Sequence, residues 1–293
     1  MNFGSVLTAM VTPFDEKGHI DLERTEKLVE YLIENGTDGL VVAGTTGESP
    51  TLTHEEKLTL FKHVVKIVNK RIPVIAGTGS NDTAASTELT QEADNLGVDA
   101  VMLVTPYYNK PDQRGLFAHF SKIAQATSLP VMLYNIPGRS VVKMNADTIV
   151  ELSKIPNIVS VKEASGDLDQ ASEIIERTDD GFSVYSGDDG LTLPLLAIGA
   201  DGIISVASHV IGNEMQSMVE AFHGGQVKEA ASIHRQLLPV MNILFSAPSP
   251  VPVKAALKMK GIETGGVRLP LVSLEKTLHQ ELEKELRSHS VIK

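Results

Sequence analysis

The chain has 293 residues, with 26 Lys+Arg against 37 Asp+Glu, and carries a net charge of −11. It has no Cys, which excludes a disulfide scaffold, a thiolate zinc or iron–sulfur site and a cysteine nucleophile. Its 42% hydrophobic content excludes a disordered chain, and its acidic balance argues against general binding to nucleic acid or an anionic membrane.

The first twelve residues contain no Lys or Arg and run into Pro13 and Asp15, unlike a secretory or transit peptide. The most apolar long stretch, Leu191 to Ala207, is broken by Pro194 and Asp201, so it does not read as a membrane span. A cytoplasmic protein is expected.

In chain order, eight short apolar runs alternate with longer amphipathic segments. The runs are Val6–Val11, Gly39–Val42, Pro73–Ala76, Ala100–Val104, Pro130–Tyr134, Ile158–Val161, Phe182–Tyr185 and Gly202–Val206. Most are apolar throughout and rich in Val and Ile, as strands covered on both faces must be. Between them, Leu22–Glu34, His54–Asn69, Thr83–Asn95, Gly115–Thr127, Ala146–Ser153, Leu168–Arg177 and Leu191–Ile198 read as helices. Thr53 and Glu56 form a capping box for the second helix, and Gly97 suits the left-handed position after the third. Parallel neighbours need such crossovers, and eight βα units in series predict an α/β protein with a (β/α)8 TIM barrel. An open doubly wound sheet is the alternative. Val227–Leu244, Pro252–Lys260 and Leu271–Arg287 predict a C-terminal helical extension packed on the barrel. The division is 1–225 for the barrel and 226–293 for the extension.

Reactive groups of such a barrel sit where strands end. Lys162 follows an apolar run, and burial there would lower its pKa and free the amine to attack a ketone. Equally, it can snorkel to the rim and pair with Glu163 or Asp188. Tyr134 ends the preceding strand, where it can move protons with Thr45, Thr46, Tyr107 or Tyr108, or simply pack its ring. Arg139 lies after a turn set by Pro137 and Gly138, where it can hold a carboxylate bidentately or form a surface salt bridge. The Gly44–Gly47 loop can present backbone N–H groups to an anion or be an ordinary tight turn. Asp188 and Asp189 can bind a cation, but they read better as caps of the next helix. The nine His are scattered without metal-ligand spacing, and no phosphate-binding loop or nucleophile elbow is present.

Three motifs, Gly-Thr-Thr-Gly-Glu at 44–48, Tyr-Asn-x-Pro-x-Arg at 134–139 and Val-Lys-Glu-Ala-Ser-Gly at 161–166, resemble the dihydrodipicolinate synthase / N-acetylneuraminate lyase family of Schiff-base barrels. The resemblance runs from Gly4 to about Arg268. The double threonine and the arginine point to the synthase branch; sialic acid lyases carry Ser-Thr in that loop. The resemblance implies that Lys162 forms the Schiff base with pyruvate and that Thr45 and Thr46 bind its carboxylate. It implies that Thr46 joins a proton relay with Tyr134 and Tyr108, the latter donated by a neighbouring subunit. Arg139 would hold L-aspartate 4-semialdehyde, and Gly187 and Ile204 would line the pocket with backbone groups. The implied product is 4-hydroxy-tetrahydrodipicolinate, for diaminopimelate and lysine synthesis. No cofactor or metal is implied, and the assembly is a homotetramer, a dimer of dimers. Another pyruvate-dependent class I aldolase, or a non-catalytic keto-acid sensor, remains as an alternative.

Lysine-sensitive members of that family resemble this chain at Ser49, His54, Asn81 and Tyr107. They carry His where this chain has Lys57 and Glu where it has Ala85. Lys57 would repel a lysine effector and Ala85 supplies no carboxylate for its ammonium, so weak or absent feedback is expected.

Overall fold

A computed structural model describes residues 3–293. Eight parallel strands close on themselves: β1 (Val6–Ala9), β2 (Gly39–Val42), β3 (Val74–Gly77), β4 (Ala100–Val104), β5 (Val131–Asn135), β6 (Ile158–Glu163), β7 (Ser183–Ser186) and β8 (Gly202–Ser205). Each pairs with the next, and Val6 to Thr8 of β1 pair with Ile203 to Ser205 of β8. That last pairing decides for the barrel against the open sheet.

Between the strands lie α1 (Leu22–Glu34), α2 (His54–Val68), α3 (Thr83–Asn95), α4 (Gln113–Ala124), α5 (Pro137–Ser140), α6 (Ala146–Ser153), α7 (Leu168–Arg177) and α8 (Thr192–Ala197). After β8 come α9 (Ser208–His223), α10 (Val227–Ile243), α11 (Val251–Met259) and α12 (Lys276–Ser288). The Thr53–Glu56 capping box is formed, and Gly97 has φ +81°.

The core has two layers. Inside the barrel, Leu7, Val41, Ile75, Met102, Met132, Tyr134, Tyr185 and Ile204 fill the bore. Outside it, the other strand faces pack on the apolar stripes of the helices, among them Leu28, Phe61, Phe120, Ile149 and Ile174. Each such aliphatic or aromatic side chain removed from water contributes roughly 1.5–3 kcal/mol. In the extension, α10 packs on α9 and α11 on α12.

Several boundaries differ from the sequence reading. Strand β6 runs on to Glu163, so Lys162 lies within the strand. Helix α4 starts at Gln113, ahead of Gly115, because the Asp112 carboxylate accepts from the Gly115 N–H at 2.8 Å and caps it. Helix α12 starts at Lys276, not Leu271: Val272 is surface-exposed, and the stripe that docks the helix begins only with Leu282 and Leu286. Helix α9 has no amphipathic signature in its first turn because Ser208 to Gly212 are buried on all sides.

Candidate active site

The C-terminal ends of the strands open into a cavity of about 250 Å³. Thr45, Met102, Tyr107, Tyr134 and Arg139 are among its walls. The register of the sheet sets Lys162 of β6 level with Tyr134 of β5 and Tyr185 of β7. Alternation along the strand turns Lys162 into the bore. Its Nζ lies 4.4 Å from the centroid of the Tyr134 ring.

Lys162 is 5% exposed and does not snorkel. Both carboxylates that could have paired with it are engaged elsewhere. Glu163 accepts from Asn135, Gln170 and the Ser165 N–H, and Asp188 caps Gly190. Burial therefore dominates and brings the Lys162 ammonium down from 10.5 to about 8; Asp189 pulls it up and Arg139 pushes it further down. A shift of this size is about 3 kcal/mol in favour of the neutral, nucleophilic amine.

Tyr134 is 3% exposed, and burial pushes its phenol up to about 12, while Arg139 and the Thr45 side chain pull it down. Thr45 thus bears on this phenol; Thr46, to which the resemblance gives the relay, is buried. The turn itself is closed by Glu48 N–H to Thr45 O at 3.0 Å and Ser49 N–H to Gly44 O at 3.2 Å.

Arg139 sits on the single turn α5 at the cavity wall. Arg24, Arg71, Arg114, Arg177, Arg268 and Arg287 each hold a carboxylate; Arg139 holds none among the described residues. Its guanidinium is near enough to push the Lys162 ammonium down, and the two cations favour an anion between them. The segment that carries it is braced by Asn135, Glu163 and Gln170. Asn135 donates from Nδ2 to Glu163 Oε2 at 2.9 Å and accepts at Oδ1 from Met144 N–H at 3.0 Å. Gln170 donates to the same Glu163 oxygen at 3.2 Å. Gln170 had no sequence signal, because its partners lie on other elements.

Gly187 packs directly on the lysine: a Cβ there would lie 2.6 Å from Ala164 Cβ and 3.0 Å from Lys162 Cε. Gly187→Ala is expected to displace the Lys162 side chain and to slow imine formation by about tenfold or more. Stopped-flow trapping with pyruvate reads this directly; a wild-type rate would contradict the packing argument. Ile204 is buried in the bore. Asp189 does not cap its helix as expected. It is buried and accepts from Ser205 Oγ at 2.5 Å, Val206 N–H at 3.1 Å and Ala207 N–H at 3.0 Å, which fixes the turn after β8. Burial raises its pKa. Tyr108 does not line the cavity: it takes φ +72° and is 89% exposed. No group of three or more His, Cys, Asp or Glu side chains at metal-binding spacing exists among the described residues.

A closed barrel with a desolvated lysine, a phenol and a free guanidinium at its mouth is that of a (β/α)8 barrel enzyme. The chain belongs to the dihydrodipicolinate synthetase family, whose model matches residues 2–289. It is 65% identical over 283 residues to 4-hydroxy-tetrahydrodipicolinate synthase 2 of Halalkalibacterium halodurans, a match covering 97% of each chain. Its fold is similar to the crystal structure of a dihydrodipicolinate synthase from Bacillus anthracis, with TM-score 0.97, 60% identity, and 98% of this chain and 99% of that one covered. A synthase from Cyanidioschyzon merolae with lysine bound is similar at TM-score 0.97 and 46% identity, covering 99% of each chain.

Proposed function

We propose that this enzyme condenses pyruvate with L-aspartate 4-semialdehyde to 4-hydroxy-tetrahydrodipicolinate, a lyase-class reaction feeding diaminopimelate and lysine synthesis. The observation that carries the reading is Lys162: a buried, unpaired amine held near neutrality at the mouth of the barrel. Its Nζ attacks pyruvate C2, and loss of water gives an iminium. That cation is the electron sink, so C3 loses a proton and becomes an enamine without any cofactor or metal. C3 then attacks the aldehyde carbon. The semialdehyde amine adds to the imine carbon, closes the ring and expels Lys162.

The other residues divide these tasks. The Thr45 and Thr46 hydroxyls and the loop N–H groups hold the pyruvate carboxylate. Tyr134, with Thr45 acting on its phenol, shuttles protons at the carbinolamine and enamine stages. Arg139 holds the semialdehyde carboxylate, and main-chain groups at Gly187 and Ile204 line the pocket. Tyr108, exposed on a left-handed turn, reaches the relay of a second copy in a dimer of dimers. In the same reading residues 1–225 form the barrel, residues 226–293 the extension, and the enzyme is cytoplasmic; no described helix is long and apolar enough to cross a membrane. The test is proton NMR of the purified enzyme with both substrates. Equimolar consumption and one cyclic product are expected, and pyruvate turnover with 2-keto-3-deoxy-sugar acids instead would overturn the assignment.

Free L-lysine is expected to inhibit weakly or not at all. Lys57 is half-buried and Ala85 offers no carboxylate, while His54 is held by Glu92 at 3.1 Å and Asn81 by the Tyr107 carbonyl at 3.1 Å. Submillimolar inhibition in a steady-state assay would contradict this.

A further inference from the structure

The loop that carries Thr45 and Thr46 ends at Glu48, and Glu48 is held from outside the barrel. Its backbone takes φ +58°, a left-handed conformation that a residue with a side chain adopts only when its surroundings impose it. Its carboxylate is buried. Oε1 accepts from Lys254 Nζ of α11 at 2.8 Å, and Oε2 accepts from the Arg268 backbone N–H at 2.9 Å. Lys254 also donates to the Gly266 carbonyl at 2.6 Å and lies 4.3 Å from the centre of the Phe14 ring. Arg268 sits over the same ring at 4.5 Å and donates to both carboxylate oxygens of Glu56, at 2.8 and 2.5 Å, and to the Thr51 carbonyl at 2.7 Å. Two α11–α12 residues thus close on both ends of the segment 48–56.

A buried ion pair is a poor source of net stability, because two charges leave water to form it; a packed apolar pair of the same volume would serve the fold as well. What the pair does supply is a fixed position for the Glu48 carboxylate and, two and three residues earlier, for the Thr46 and Thr45 hydroxyls. We propose that Lys254 and Glu48 are positioning residues of the active site, by which the C-terminal extension sets the Thr45–Thr46 turn for the pyruvate carboxylate. This rests on the reading of that turn as the pyruvate site. Neither residue touches substrate; they act through the turn.

The test separates positioning from stability. In Glu48→Gln/Lys254→Met both charges go together, so no orphan charge is left and a melting temperature near wild type is expected. The pyruvate concentration for half-maximal imine trapping by borohydride is expected to rise about tenfold, with the KM for the semialdehyde unchanged. Glu48→Asp keeps the charge, shortens the reach by one methylene, and is expected to show the same split at smaller amplitude; it serves where the double variant does not fold. Wild-type pyruvate affinity in a folded variant, or an equal loss for both substrates, would overturn the inference. The wild type is trapped alongside: failure of the site reading appears as no adduct in any protein, failure of the inference as the same half-saturation in all.

Discussion

Lys162→Ala is expected to abolish imine formation with pyruvate and to lower kcat by a factor on the order of 10⁴ or more, since every step of the proposed reaction passes through that nitrogen. Lys162→Arg is expected to be as inactive, because a guanidinium stays protonated and is no nucleophile. The wild-type rate of imine formation should rise with pH and level off above about 8, the value to which burial brings the amine from 10.5. A rate still climbing towards 10.5 would show that Lys162 is solvated. The sign for stability follows from the same shift. Between about 8 and 10.5 the unfolded chain binds the proton that the folded chain releases, so this group favours folding increasingly as pH rises through that window. Lys162→Met, which removes the buried amine, is accordingly expected to melt no lower than wild type at neutral pH.

The second large effect is at Arg139. Arg139→Ala is expected to cut kcat/KM for L-aspartate 4-semialdehyde by about 10²-fold, the worth of a bidentate charge-assisted pair, while pyruvate still forms its imine. The separation follows from the geometry. Arg139 lies on the cavity wall with no carboxylate partner, while Lys162 is set by the strand register and is not touched by it. A variant that uses both substrates normally would remove the carboxylate-clamp role. Arg139 also pushes the Lys162 ammonium down, so its loss should move the pH midpoint of imine formation slightly upward.

The barrel was legible because strands covered on both faces are mostly apolar: every residue of β2 and β3 is apolar and buried, and such runs mark the strands. The Thr53 cap and the Gly97 stop were legible for the same local reason, since their chemistry lies within four residues. What sequence patterning could not give is long-range. Closure depends on Thr8 meeting Ser205, and the brace of the Arg139 segment on Asn135 meeting Glu163 and Gln170. Helix α9 leaves no amphipathic start signal because Ser208 to Gly212 are buried all round; its stripe begins only with Met215 and Met218. Lys162 was legible as a charged residue at the end of an apolar run, but whether it is buried or snorkels depends on where Glu163 and Asp188 point, and both turn away. The ion pair of Glu48 and Lys254 joins residues 206 apart and leaves no trace in either local pattern.

The most direct measurement is intact-mass analysis after incubation with pyruvate and borohydride, followed by peptide mapping. Reduction converts an imine into a stable amine. One pyruvate-derived adduct per chain, on Lys162, is the result expected of a buried neutral amine at the barrel mouth. No adduct on folded protein, or an adduct on another lysine, would contradict it.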